Sequence, residues 1–264
     1  MKDYTVFISS SDSYSDLWPM FFDMFQKYWP NFKGKIYLNT EFKIFEHESL
    51  NIICTNVGKY NSFGKTFRAG LDKVDSEVVI LIMIDYLFMG KVKVEKLYEY
   101  LEFFKLNDLD SLCLVHQNYR QMEHSLNEEL SFVIPPSRDM FSFQTAFWKK
   151  SMLYKMALPH ENPWTSEWYG TQRANKMKIK LACPSDQAYN PIPYDPAGCL
   201  HKGKWLDNAI THLKSLNYDI DYNIRGYFAE PNRTIKSRLK IKWMLVRHGL
   251  IGSYWDIRKR KVNS

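Results

Sequence analysis

The run VVILIMIDYLFMG at residues 78–90 holds seven consecutive apolar residues, Val78 to Ile84, and then Asp85. A strand this apolar belongs between two covered faces of a sheet. In open parallel sheets ligands bind outside the carboxyl ends of the strands, which is where Asp85 falls. A lone carboxylate there can hold a divalent cation, a hard ion that prefers oxygen ligands, and the cation can hold a diphosphate. An Asp that merely caps the following loop gives the same pattern. Other chemistries lack their templates: the chain has no GxSxG elbow, no GxxxxGK[ST] phosphate loop, no GxGxxG fingerprint and no HExxH. Cys54, Cys113, Cys183 and Cys199 form no CxxC, and the seven histidines are scattered, so zinc-ligand spacing is missing too.

The elements that must position Asp85 read as alternating strands and helices. DYTVFISS (3–10) is β-branched and aromatic between serines, a first strand. SYSDLWPMFFDMFQKYWP (13–30) sets Leu17, Phe21, Met24, Phe25 and Tyr28 at helical spacing, with Ser15 as N-cap, Asp16 favoured at the positive end, Pro19 tolerable in the first turn and Pro30 as the stop. Strands follow at 34–40 and 50–57, a helix at 61–74, the run ending in Asp85, a helix at 93–108 and a strand at 111–116. This alternation predicts an α/β fold with a mostly parallel sheet and helices on both faces. It breaks after residue 117, where a polar stretch with a Pro-Pro pair reads as an insertion or hairpin region. Helical periodicity returns over 147–157. A helix over 165–177, a strand over 178–184, a loop around 200–205 and a last helix within 203–216 complete the body.

Among its 264 residues, 45% are hydrophobic and 25% charged, the balance of a soluble globular chain with one large domain. The 16% aromatic content suits carbohydrate handling, because sugar faces stack on rings, and suits an aromatic core equally. No apolar leader opens the sequence, and no run approaches the roughly 20 residues of a membrane span. With unpaired cysteines, the expected location is the cytoplasm. The net charge of +7 is concentrated at one end: residues 231–264 carry ten Lys or Arg against Asp256, which is +9, and leave −2 for the rest. A body so nearly neutral is not expected to bind nucleic acid.

Taken in order, SSSDSYSDLWPMFFDMFQKYWP, YLNTE, VVILIMIDYLF and FSFQTAFWKKSMLYKMALPHENPWTSEW resemble a family of bacterial nucleotide-sugar-dependent glycosyltransferases of the capsule, lipopolysaccharide and exopolysaccharide type. The resemblance runs over roughly residues 4–210, and the order of the motifs carries it more than any one of them. It implies a GT-A-like, Rossmann-type domain at 1–228, a nucleoside diphosphate sugar as donor, and a glycan or polyprenyl-linked glycan as acceptor.

It also implies roles. IDYLF stands where the family has an acidic pair before Tyr, the local form of a DxD-type motif. Ile84 fills the first position, so Asp85, with Tyr86 beside it, is left alone to bind the metal–diphosphate or the donor sugar. Dependence on Mn or Mg is correspondingly in doubt. Ser9, Ser10 and Asp12 fall where such proteins bind base and ribose, and read equally as turn residues. Lys65 and Arg68 are either near the diphosphate or an exposed basic helix face. Glu167 is the implied general base, taking the acceptor hydroxyl's proton in an inverting transfer. Flanking Trp164 and Trp168 would desolvate it and raise its pKa, although the helix dipole alone also favours a Glu there. Gln144, Trp148 and Trp164 would position sugar or acceptor, Trp148 reading equally as core. In LHKGKW, His201 is the candidate second metal ligand and Lys204 a diphosphate contact.

In 229–264, Ile235, Leu239, Trp243, Leu245 and Leu250 fall on one helical side among basic residues. This predicts a helical extension whose 233–261 stretch lies on anionic lipid at the inner face of the plasma membrane, or a solvated or docked tail. Two rivals differ in class. A sugar nucleotidyltransferase would carry a Gly-rich basic loop after the first strand, and ISSSDSYSD has neither Gly nor Lys. A non-enzymatic carbohydrate-binding or assembly protein would treat Ile84 as the mark of a decayed site.

Overall fold

A computed structural model of the chain describes residues 4–117, 120, 122–124, 128–229, 243 and 246. The strands β1 (Thr5–Ser9), β2 (Lys35–Leu38), β3 (Asn51–Cys54) and β4 (Val78–Met83) are followed by β5 (Ser111–Cys113), β6 (Met122–His124), β7 (Leu130–Val133), β8 (Ala146–Lys149) and β9 (Leu181–Pro184). They form one nine-stranded sheet in the order β3-β2-β1-β4-β8-β5-β9-β7-β6. β3, β2, β1 and β4 pair in parallel, as do β5 and β9; β8 and β7 are each antiparallel to both neighbours. Seven strands therefore run one way and two against them, a mostly parallel sheet of α/β type. The helices are α1 (Trp18–Tyr28), α2 (Phe63–Lys73), α3 (Val94–Leu106), α4 (Lys150–Met156), α5 (Pro163–Met177) and α6 (Asp207–Ser215).

The core is as aromatic as the composition suggests. Val6, Phe7 and Ile8 of β1 and Val79 to Leu81 of β4 are fully buried, so neither strand alternates in polarity. On α1, Phe21 and Phe25 pack on Phe88, with ring centroids 5.8 and 5.4 Å apart, while Phe22 stacks on Phe45 at 5.2 Å. Ring pairs at these spacings add about 0.5–1.5 kcal/mol each beyond the area they bury.

Three sequence expectations change. Helix 13–30 is split: a 3-10 turn at Asp12–Tyr14 comes first, Ser15 closes that turn, and α1 begins at Trp18 without a side-chain cap, with Pro19 in its first turn. Asp16, expected to face the helix dipole, pairs instead with Arg225, a partner 209 residues away. The helix expected over 147–157 begins as β8, whose Ala146, Phe147 and Trp148 are buried on both sides of the sheet. A strand covered on both faces loses its alternation, and this one runs straight into α4. Finally, 200–205 is a ribbon rather than a loop: β10 (Leu200–His201) pairs antiparallel with β11 (Lys204–Trp205). Lys202 and Gly203 between them have φ of 52° and 78°, the pair of positive values that a two-residue hairpin turn requires. The extension at 229–264 lies outside the described residues except for 229, 243 and 246.

One glycine sets how closely α2 can approach its neighbours. A Cβ on Gly64 would stand 1.9 Å from the carbonyl oxygen of Leu158, and the Gly64 amide donates to the Glu161 carbonyl at 3.0 Å. Gly64→Ala must push α2 off the 158–161 backbone. We expect it to cost about 1–3 kcal/mol, read as a lower urea midpoint with an unchanged m-value.

Candidate functional site

The chain leaves β1 through α1 to β2 on one side and returns through α2 to β4 on the other. The crevice at the carboxyl ends of β1 and β4 is therefore the switch point of the sheet, where such folds bind ligands. A cavity of about 540 Å³ opens there. Its floor is the end of β1 with Ser9 and Ser10, and the end of β4 with Ile84, Asp85 and Tyr86. One wall is the start of α5, with Trp164 and Glu167, and another is the ribbon turn, with His201 and Lys202. The fold thus gathers Ser9, Ser10, Asp85, Tyr86, Trp164, Glu167 and His201 from four separate stretches of chain.

The other expected residues lie elsewhere. The Asp12 carboxylate accepts the backbone amides of Glu41, Phe42 and Lys43 at 2.9–3.0 Å, while the Asp12 amide donates to Glu41 Oε2 at 2.9 Å. It fixes the loop after β2, and it is Glu41 that lines the cavity. Lys65 is exposed on α2, outside the cavity lining. Arg68 spreads over the Tyr154 ring and donates to the carbonyls of Tyr154 and Ala157 at the end of α4. Trp148 is buried in β8 and packs edge-on against Phe141. Lys204 is exposed on β11, and the ribbon brings Lys202 to the cavity instead. Ser10 lines the cavity with its Oγ already accepting the indole N–H of Trp18 at 2.8 Å.

Asp85 stands at the cavity floor against the 198–199 backbone. Its carbonyl accepts the Cys199 amide at 2.7 Å, and its carboxylate lies against Gly198, where a Cβ would stand 3.0 Å from Oδ2. Gly198 also has φ of 77°, so both backbone shape and space call for glycine there. No side-chain donor among the described residues bonds the Asp85 carboxylate, and burial pushes its pKa up to about 6. On α5, a capping box between Asn162 and Thr165 starts the helix, with Pro163 in its first turn. This presents Glu167 to the cavity. Its Oε1 accepts the Phe143 amide at 2.9 Å. Burial raises the Glu167 pKa to about 7; the Phe143 hydrogen bond opposes this, and the charge of Asp139 adds to it.

The expected cause of that burial is different from the observed one. Trp164 and Trp168 are 53% and 55% exposed and shield little. Glu167 is tied instead to Phe143, whose ring meets Phe63 and Phe67 edge-on at 5.2 and 5.5 Å. Gln144, Tyr194 and Tyr86 form a chain beside it. Tyr194 Oη accepts the Thr145 amide at 3.0 Å and donates to Gln144 Oε1 at 2.8 Å; Gln144 Nε2 donates to Tyr86 Oη and to the Pro196 carbonyl, both at 3.0 Å. The Tyr86 and Tyr194 rings stack at 4.9 Å. Tyr194, Glu41 and Phe143 had no role assigned from sequence, because each enters through a long-range contact; Lys202 stood in LHKGKW beside Lys204, and the tight turn brings it to the cavity.

Among the described residues, three carboxylates, Glu41, Asp85 and Glu167, line the cavity against the single cationic side chain Lys202, with His201 beside it. A diphosphate placed here needs positive charge. Among the described residues no three of His, Cys, Asp and Glu converge on a metal-sized point. Asp85 and His201 line the same cavity, and a cation there would have to keep water and take most of its oxygens from a diphosphate. No described helix is long and apolar enough to cross a membrane.

The sheet order and the crevice at its switch point define an α/β, Rossmann-like fold of the GT-A kind. No family model and no curated protein matches the chain. Among solved structures it is similar to Staphylococcus aureus TarS 1–349 in complex with UDP-GlcNAc, with a TM-score of 0.50 and 15% identity over 84% of this chain and 69% of that one. Against TarS 1–349 without a named ligand the match covers 73% of this chain and 59% of that one, with a TM-score of 0.46 and 17% identity. A galactosyltransferase, LgtC, in complex with donor and acceptor sugar analogues matches at a TM-score of 0.43 and 12% identity, over 81% of this chain and 94% of that one. At 15% identity the likeness to the UDP-GlcNAc complex shows the fold alone.

Proposed function

We propose that the protein is a glycosyltransferase that moves a monosaccharide from a nucleoside diphosphate sugar to a glycan or lipid-linked glycan acceptor in surface polysaccharide synthesis. The observation that carries this is the pairing, in one switch-point cavity, of an Asp85 carboxylate that no described side chain bonds with a Glu167 whose pKa is raised to about 7. The fold shared with TarS bound to UDP-GlcNAc supports it. Glu167, whose pKa lies near neutrality, accepts in its ionised form the proton of the attacking hydroxyl. The new bond joins that hydroxyl oxygen to the anomeric carbon, the old bond to the diphosphate breaks, and its electron pair leaves with the nucleotide. Direct attack inverts the anomeric centre. A divalent cation, when bound, would stabilise the departing diphosphate charge; Asp85 and His201 would hold it, and Lys202 supplies further positive charge. Membrane association through 233–261 would bring the enzyme to a lipid-linked acceptor.

Thermal melting against UDP, GDP, CMP and dTDP, with and without manganese, tests the donor site. A ligand at 100 times its Kd stabilises by about 2.7 kcal/mol, which raises the Tm by roughly 5–10 °C in a chain of this size. We expect one nucleotide to do so, manganese to enlarge the shift, and Asp85→Asn to remove the enlargement. No shift with any nucleotide would overturn the reading.

A further inference from the structure

The hydrogen-bond chain beside Asp85 has a fixed direction. The Thr145 amide can only donate and the Pro196 carbonyl can only accept. Tyr194 Oη receives the Thr145 N–H, so its own proton goes to Gln144 Oε1. The Pro196 carbonyl faces the other end of the same side-chain amide and fixes that end as Nε2. Nε2 then spends its second proton on Tyr86 Oη. Tyr86 is thereby an acceptor within the protein, and no described residue accepts its own O–H proton. The residue lines the cavity next to Asp85, and Glu167 lines the same cavity.

We infer that the Tyr86 hydroxyl is a donor aimed at the ligand, and that with Glu167 it recognises a sugar hydroxyl, a group able to accept from Tyr86 and donate to the carboxylate. A phosphate oxygen accepts equally well, but beside Asp85 and Glu167 it would meet two negative charges, whereas a neutral hydroxyl satisfies both partners at once. This rests on the donor-site reading above and deepens it. Tyr86 here is a positioning and specificity residue; the proton that leaves in the reaction goes to Glu167. The hydroxyl belongs either to the transferred sugar or to the acceptor, and two measurements separate these sources.

The test compares wild type, Tyr86→Phe and Gln144→Glu. The first variant keeps the ring stack on Tyr194 and loses only the O–H. The second keeps the hydroxyl and reverses the chain, because the new carboxylate has no N–H to give and takes the Tyr86 proton itself. Titration calorimetry with UDP, GDP and dTDP and with their glucose, galactose and N-acetylglucosamine conjugates gives the affinity that the sugar adds. Expected for a transferred-sugar hydroxyl is unchanged nucleotide affinity and about 3–10-fold weaker nucleotide-sugar binding in both variants, the loss of one hydrogen bond. Unchanged donor binding with an acceptor KM raised by a similar factor would assign the hydroxyl to the acceptor. If both variants match wild type in donor binding and in acceptor KM, the inference fails while the donor site stands. If wild type binds none of the nucleotides or conjugates, the donor-site reading fails and this inference with it.

Discussion

Glu167→Gln is expected to slow transfer by about 10²–10⁴-fold, the usual contribution of a general base, and to make the folded protein more stable at pH 8. The second effect follows from linkage. The folded-state pKa of Glu167 is near 7, against an ordinary value of 4.5. Below about pH 4.5 the carboxyl is protonated folded or unfolded, and its burial carries no ionic cost. Between about pH 4.5 and 7 the unfolded chain ionises first, so stability falls as pH rises, and the full cost is present above pH 7. That cost is about 1–3 kcal/mol once contact with water in the cavity is allowed for. Glutamine has no proton to lose and can still accept the Phe143 amide. Urea unfolding without metal should therefore show the variant equal to wild type at pH 4 and more stable at pH 8. In wild type kcat/KM should fall below about pH 7, with that limb absent from the variant. A stability difference that ignores pH would contradict the buried carboxyl, and a variant turning over at wild-type rate would remove Glu167 as base.

Glu161→Ala is expected to destabilise the fold by about 3–5 kcal/mol, the cost of leaving one member of a buried ion pair behind. Glu161 is 1% exposed and takes Arg173 Nη1 and Nη2 at 2.7 and 2.8 Å, Ser166 Oγ at 3.1 Å and the Leu158 amide at 2.9 Å. It clamps the turn between α4 and α5 immediately before the helix that carries Trp164 and Glu167. A double replacement, Glu161→Leu with Arg173→Met, should recover part of the stability. It should not recover ligand-induced melting shifts if the clamp is what aims α5. Full recovery of both would mean that packing alone holds the turn.

What could be read from the chain divides along the range of the interactions involved. Asp85 at the end of an apolar strand and the β–α alternation through residue 116 are local patterns, and the sheet order follows them. β8 was hidden because a strand covered on both faces has no alternation to show. Asp12 was legible as a polar turn residue, but its three amide partners lie about 30 residues away, and nothing local says which carboxylate feeds a loop and which faces a ligand. Lys202 and Lys204 look equivalent in LHKGKW; only the positive φ of a tight turn distinguishes them. For Glu167 the position was visible, while its shielding comes from residues near 143 rather than from its neighbouring tryptophans.

The ribbon also fixes when the site can exist. Asp85 and Tyr86 emerge early in synthesis, but the wall that bears His201 and Lys202 is tied to Asp85 through the Cys199 amide, and β11 is held in turn by backbone bonds to Gly226 and Phe228. At about 5–20 residues per second, roughly 140 further residues take on the order of 7–30 s to add. During that interval Asp85 exists without the residues that wall the crevice on the ribbon side. A nascent chain halted before residue 228 would hold the residues of the floor without the backbone bond from Phe228 that ties β11 in place.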